Sequence, residues 1–149
     1  MVHNIRSVYN VGAIFRTADA FGVSKVYLTG YTPIPENIYS GIKISKTALG
    51  SEKFVPWEYC KSPLTLINKM KKQGVRVVAL ENHKGKSIQI KKFKPKFPLL
   101  LILGEEVGGV DEFLLKKCSQ IVEIPMLGKK ESLNVSVAFG IMAFWIAQF

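Results

Sequence analysis

The chain has 149 residues, 48% hydrophobic and 21% charged, which is the size and make-up of one globular domain and far from the charge-rich, aromatic-poor composition of disorder. Its 21 Lys and Arg against 11 Asp and Glu give a net charge of +10, which points to a polyanionic partner, nucleic acid first. Cys60 and Cys118 are the only cysteines and His3 and His83 the only histidines, which argues against a disulfide scaffold and a dedicated metal site. No apolar signal segment opens the sequence, and the longest apolar stretch, Asn134 to Phe149, is shorter than the roughly 20 residues that cross a bilayer. A cytoplasmic protein without membrane attachment is expected.

Short apolar runs alternate with helical patterns, predicting a single α/β domain over residues 1–149 with a mostly parallel six-stranded sheet and helices on both faces. Strands are expected at Val2–Ile5, Lys25–Thr29, Lys53–Pro56, Val75–Leu80, Leu99–Leu103 and Ile121–Ile124. The last three are branched-aliphatic, as strands buried on both faces are. After the first strand, Val11, Ile14, Phe15, Ala18 and Phe21 recur at helical spacing, with Asn10 as the expected N-cap and Gly22 as the stop. Pro33, Pro35, Gly41 and Gly50 break any period in residues 31–52, which read as one long, mobile and functional loop. Ser62-Pro63 opens a helix carrying Leu64, Ile67 and Met70 that Gly74 closes. Asp111 caps a short helix with Phe113, Leu114 and Leu115, whose last turn holds Lys116 and Lys117. The final helix, about Asn134–Phe149, has no charged side chain and is apolar nearly all round, so a subunit interface is expected to cover part of it.

The positive charge is local. Residues 69–96 carry ten basic side chains and one acidic one, Glu81, a net +9 that leaves about +1 for the rest of the chain. Lysines of this kind suit attraction to a phosphate backbone, and this run reads as one docking surface with Lys84, Lys86, Lys91, Lys92 and Lys94 as nucleic-acid-binding candidates. Only three of the 21 cations are arginines, and Arg6 and Arg16 lie close together in the first sixteen residues. The planar fork of arginine serves phosphate or carboxylate there, and Arg6 joins the nucleic-acid-binding set.

Three segments carry the small and polar residues of a ligand site: Asn10 to Arg16, Leu103 to Gly109, and Ile124 to Asn134. None is a Rossmann G-x-G-x-x-G or a P-loop. The adjacent Glu105 and Glu106 would repel a pyrophosphate and suit a cationic or hydroxyl-bearing ligand. In open α/β sheets such segments meet beyond the carboxyl ends of the strands.

Together these segments resemble the SpoU/TrmH-type RNA ribose 2′-O-methyltransferases. Residues 4–22, from Asn4-Ile-Arg6 through Asn10-Val-Gly12 and Arg16 to Gly22, look like the first signature. Leu103-Gly-Glu-Glu106-Val-Gly108 looks like the second, and Ile124-Pro-Met126 through Ser132-Leu-Asn134 to Ala138 like the third. Glu105 stands where asparagine is common in that family. The resemblance implies a C-terminal trefoil knot, a homodimer, and S-adenosyl-L-methionine (AdoMet) held by Leu80, Gly104, Ile124, Met126, Ser132 and Leu133. It further implies that Arg16 activates the ribose hydroxyl, with Asn10, Glu106, Ser132 and Asn134 arranging substrate and catalytic groups, and that no metal is needed. The substrate class is RNA, tRNA favoured over rRNA. Two rival readings remain: a non-catalytic RNA-binding domain, resting on the lysines alone, and a knotted methyltransferase acting on a base.

Overall fold

A computed structural model describes residues 1–36 and 43–149. Seven parallel strands form one sheet: β1 (Val2–His3), β2 (Val26–Thr29), β3 (Trp57–Cys60), β4 (Arg76–Leu80), β5 (Ile88–Gln89), β6 (Leu99–Leu103) and β7 (Gln120–Glu123), in the spatial order β3-β2-β1-β6-β4-β7-β5. The six-stranded expectation is short by β5, whose two residues pair with Val122 and Glu123 and are too few to show a period. The α/β class and the parallel sheet are as expected.

Among the described residues six α-helices accompany the strands: α1 (Val8–Ala20), α2 (Ser45–Ala48), α3 (Ser51–Phe54), α4 (Pro63–Lys72), α5 (Glu112–Leu115) and α6 (Val135–Ile146). Both faces of the sheet are covered. Val11, Ile14, Phe15 and Ala18 of α1 pack with Phe139 and Ala143 of α6 against Leu28 and Leu103. On the other face Leu66, Ile67 and Met70 of α4 and Leu114 and Leu115 of α5 cover Val77, Ala79, Leu100 and Ile102. Alternate residues of β4 and β6 thus serve opposite faces, which is why both strands read as unbroken apolar runs.

β2, β4, β7 and α6 shift by one to three residues at their ends, and four other boundaries differ for a specific physical reason. β1 stops at His3 because Asn4 adopts a left-handed φ of 56°. α1 begins at Val8, since the Ser7 hydroxyl, not Asn10, caps it by accepting from the Asn10 amide at 3.2 Å. Asn10 is thereby freed to project its side chain elsewhere. The third strand is Trp57–Cys60, not Lys53–Pro56, because Lys53 belongs to α3 and Pro56 has no N–H for a ladder. This edge strand pairs only with β2 and carries an exposed Lys25–Glu58 ion pair of 2.6 Å, so it lacks the apolar signal of a central strand. α5 ends at Leu115, leaving Lys116 and Lys117 beyond its last turn.

Other signals hold. Gly22, at φ 63°, ends α1 with Gly22 N–H to Asp19 and Val23 N–H to Ala18, the paired bonds of a glycine C-cap. Ser62 caps α4 with Pro63 in its first turn. Asp111 occupies the N-cap position of α5 but turns its carboxylate to the buried His3 ring, which bridges Thr29 Oγ1 at 2.8 Å and Asp111 Oδ2 at 2.9 Å. Within the expected loop 31–52, α2 and α3 are helical turns packed against α1, and residues 37–42 lie outside the described residues.

α6 buries Phe139, Met142 and Ala143, while Val137, Ile141 and Phe144 stand exposed on its other side. Phe144, 59% exposed, meets Phe21 edge to face at 6.4 Å. Among the described residues no helix is long and apolar enough to cross a membrane.

Candidate functional site at the carboxyl edge of the sheet

The strand ends of β4, β6 and β7 and the start of α6 enclose a cleft of about 190 Å³. Leu80, Leu103, Ile124, Met126 and Val135 supply apolar walls, and Glu81, Glu105, Glu106 and Glu131 supply carboxylates. A larger hollow of about 540 Å³ beneath α6 is lined mainly by apolar side chains, among them Phe21, Leu101, Phe139 and Phe149, and lacks such convergent polar groups.

The loop after β6 is folded back on itself. Glu105 and Gly109 exchange both backbone hydrogen bonds, at 3.0 and 3.1 Å. Gly104 allows this closeness, because a Cβ there would lie 2.2 Å from the Gly109 backbone. Glu81 clamps the loop from β4, its carboxylate accepting from the Val110 amide at 2.8 Å.

Three distant segments meet beside the cleft. Asn10 Nδ2 donates to Glu106 Oε1 at 2.9 Å, and Asn134 Nδ2 donates to Asn10 Oδ1 at 3.1 Å. Asn134 Oδ1 in turn accepts from Ser136 N at 2.9 Å and Ser136 Oγ at 2.7 Å, capping α6. One amide thus ties the α1 start, the β6 loop and the α6 start together. Nearby, the Tyr31 hydroxyl donates to Glu105 Oε2 at 2.6 Å, and this bond holds the phenol above its ordinary pKa. The Arg6 guanidinium lies 5.2 Å from the Tyr31 ring centre.

Of the residues singled out from sequence, Leu80, Gly104, Ile124, Met126, Ser132 and Leu133 all line the one cleft, and so does Glu106. Asn10 and Asn134 join it through their hydrogen bonds. Arg16 stands exposed on α1, outside the cleft lining, with no hydrogen bond or ion pair among the described residues. Lys84 and Lys86 lie in the connection after the end of β4, where Lys86 contacts Glu112 at 3.4 Å. Hydrogen bonds from His83 and Lys86 hold the Glu112 carboxyl below the usual range. Lys92 and Lys94 line a cleft at the opposite edge, where β4 and β6 begin, and Lys91 lies in the helical turn after β5, so the basic run is not one continuous surface.

Sequence reasoning missed Glu81 and Tyr31. The first was marked by being the single acid within a +9 run, and the second by following Gly30 at the end of β2. Among the described residues no group of three or more His, Cys, Asp and Glu side chains could hold a metal ion.

A parallel α/β domain with an acidic, glycine-walled cleft at the carboxyl ends of its central strands defines a small-ligand-binding α/β class, and comparison with known proteins narrows it. Residues 1–144 match the SpoU rRNA Methylase family, and the chain belongs to that family. It is 32% identical over 141 residues to the tRNA (guanosine(18)-2′-O)-methyltransferase of Aquifex aeolicus, covering 95% of this chain and 64% of that protein. It is 28% identical over 144 residues to a 23S rRNA (guanosine-2′-O-)-methyltransferase of Ralstonia nicotianae, covering 97% of this chain and 55% of that one. Among solved structures, an AdoMet-bound rRNA methyltransferase from Sinorhizobium meliloti superposes with a TM-score of 0.88 at 29% identity, covering 99% of this chain and 54% of that one. The TrmH/SpoU tRNA modifying enzyme of A. aeolicus gives 0.86 at 30%, covering 99% and 72%. The chain therefore spans a little over half to two thirds of the curated relatives it matches.

Gly104→Ala is expected to lower stability by about 1–3 kcal/mol, since the methyl group meets fixed backbone. Gly128→Ala, where a Cβ meets nothing within 4 Å, is expected to be near neutral. Urea denaturation of the two variants checks the contrast.

Proposed function

We propose that this domain is an AdoMet-dependent RNA methyltransferase acting on a ribose 2′-OH. The observation that carries the reading is the meeting of all three signature segments at one cleft through Asn10, Glu106 and Asn134. The named relatives act on tRNA and on 23S rRNA, and tRNA is the class proposed first for this chain.

The residues present fit AdoMet. Gly104 and Gly109 let the loop after β6 fold back tightly and pack against Glu81 at the cleft wall. The apolar walls suit an adenine ring, and the carboxylates suit a ligand carrying a sulfonium and an ammonium. Leu80, Gly104, Ile124, Met126, Ser132 and Leu133 would hold it, and when bound it supplies an electrophilic methyl group. The chain's own task is then to orient the ribose and stabilise charge on its oxygen. Arg16, whose guanidinium stays charged, acts as a cation that stabilises the developing alkoxide, while the hydroxyl proton passes to a separate acceptor or to solvent. Asn10 holds Glu106 in one orientation, and Asn134 holds Asn10.

Under the same reading residues 1–149 form one catalytic domain, threaded at its C-terminal end as a trefoil knot and working in the cytoplasm. We further propose that a second copy covers the apolar face of Phe21, Val137, Ile141 and Phe144.

Incubation with methyl-labelled AdoMet and total bacterial RNA, followed by digestion to nucleosides, is expected to give label on 2′-O-methylated ribose. Label on a base, or salt-sensitive RNA binding with no label and no AdoMet affinity, would overturn the reading. Arg16→Ala should lower turnover at least about 100-fold while calorimetric AdoMet affinity stays unchanged.

Sedimentation of the parent chain should show a dimer that Ile141→Asp with Phe144→Asp converts to monomer. A monomeric parent would contradict the proposed interface.

A further inference from the structure

Charge is distributed unevenly between the two edges of the sheet. In a parallel sheet every strand starts at one edge and ends at the other, so residues far apart in sequence collect by strand direction. At the carboxyl edge stand Glu81, Glu105, Glu106, Glu123 and Glu131, nearly half of the chain's 11 acids. The starts of β4, β6 and β7 lie at the opposite edge. Here Arg76, Lys92, Lys94 and Lys96, with Ser119 and Gln120, line a cleft of about 370 Å³ that has no carboxylate in its lining.

The cations of this cleft are held in a fixed array. From Lys92 to Lys96 exposure alternates: Lys92, Lys94 and Lys96 are exposed, while Phe93 and Pro95 are buried. Phe93 has extended backbone angles and is 1% exposed among Val78, Val122 and Met142. Its carbonyl accepts from the Trp145 indole at 2.9 Å and its amide donates to Ile90 at 2.9 Å. Anchoring the intervening residues leaves the three lysines to face solvent together. Alternate residues of an extended chain lie about 7 Å apart, a spacing on the scale of successive phosphates along an RNA strand. None of the four cations forms an ion pair among the described residues. A loosely solvated lysine tail would need neither the buried anchors nor the indole hydrogen bond.

We propose that this cleft is a second RNA-docking site, which grips the phosphodiester backbone of a part of the substrate distant from the methylated nucleotide. The inference rests on the reading of the protein as an RNA methyltransferase. Four residue steps along β4, about 13 Å of extended chain, separate Arg76 from Leu80 at the cofactor cleft. The two sites therefore engage different stretches of one RNA. The division has an electrostatic reason: carboxylates that suit a cationic cofactor repel a polyanion, so the attraction that retains the RNA is placed at the other edge.

The test compares the parent chain with Lys92→Gln/Lys94→Gln/Lys96→Gln, using labelled unfractionated tRNA and, separately, 23S rRNA over a range of salt concentrations. For the RNA that the parent binds, loss of three phosphate contacts should flatten the log–log salt slope by about 2. It should raise KM for RNA and leave kcat at saturating RNA and AdoMet affinity unchanged. Because these side chains are exposed and mutually repulsive, the thermal midpoint should hold or rise. If the triple variant unfolds, Lys94→Gln alone is read instead, with a slope change of about 0.7. A parent that binds and methylates RNA beside a variant with the same slope and KM would overturn the docking site alone. A parent with no salt-sensitive affinity for either RNA would overturn both the docking site and the functional reading.

Discussion

The site depends on one side-chain amide. Asn10 offers a donor to Glu106 and an acceptor to Asn134 from the two separate polar atoms of one short planar group. Around it the start of α1, the loop after β6 and the start of α6 converge, although 96 and 124 residues of chain separate the partners. Each partner is fixed on its far side as well. The Glu106 loop is closed by the Glu105–Gly109 backbone pair and clamped by Glu81, and Asn134 is tied to Ser136 as the cap of α6. Helix ends hold side chains more precisely than free loops do, so the N-terminal turns of α1 and α6 serve as the rigid mounts of the site.

The sheet supplies the second constraint. Parallel pairing of the strands assigns every loop to one edge or the other, and the chain uses this to separate tasks. Carboxylates and glycines gather where the strands end, and unpaired cations gather where β4, β6 and β7 begin. The exposed apolar stripe of α6 and Phe21 belongs to neither edge but to the outer face of the helix layer.

These features were unequally legible in the sequence. β6 is observed over the residues its apolar run predicts, because a strand buried on both faces has no polar position to blur it. The six cofactor candidates also meet in one cleft, since glycines and small polar residues after strand ends are costly anywhere but at a site. β3 was misplaced because an exposed edge strand with Glu58 and Tyr59 outward carries little apolar signal. Asn10 reads as a cap because Ser7 and Asn10 are both good cap residues, and only the bond from the Asn10 amide to Ser7 and the tertiary bond to Glu106 distinguish their roles. The basic run misled for a topological reason. Arg76 and residues 92–96 lie at one edge and residues 81–86 at the other, with β4 crossing between them, and a one-dimensional charge count cannot register that crossing.

The central claim is that Asn10 couples Glu106 and Asn134 into one unit, and a double-mutant cycle measures that coupling directly. Asn10→Ala removes the bridge, and Asn134→Ser keeps a capping side chain on α6 while deleting the donor to Asn10. With kcat/KM for RNA methylation as the readout, the two losses should fall short of additivity by about 0.5–3 kcal/mol. Losses that add to within about 0.5 kcal/mol would mean that the two asparagines act independently and would contradict the account.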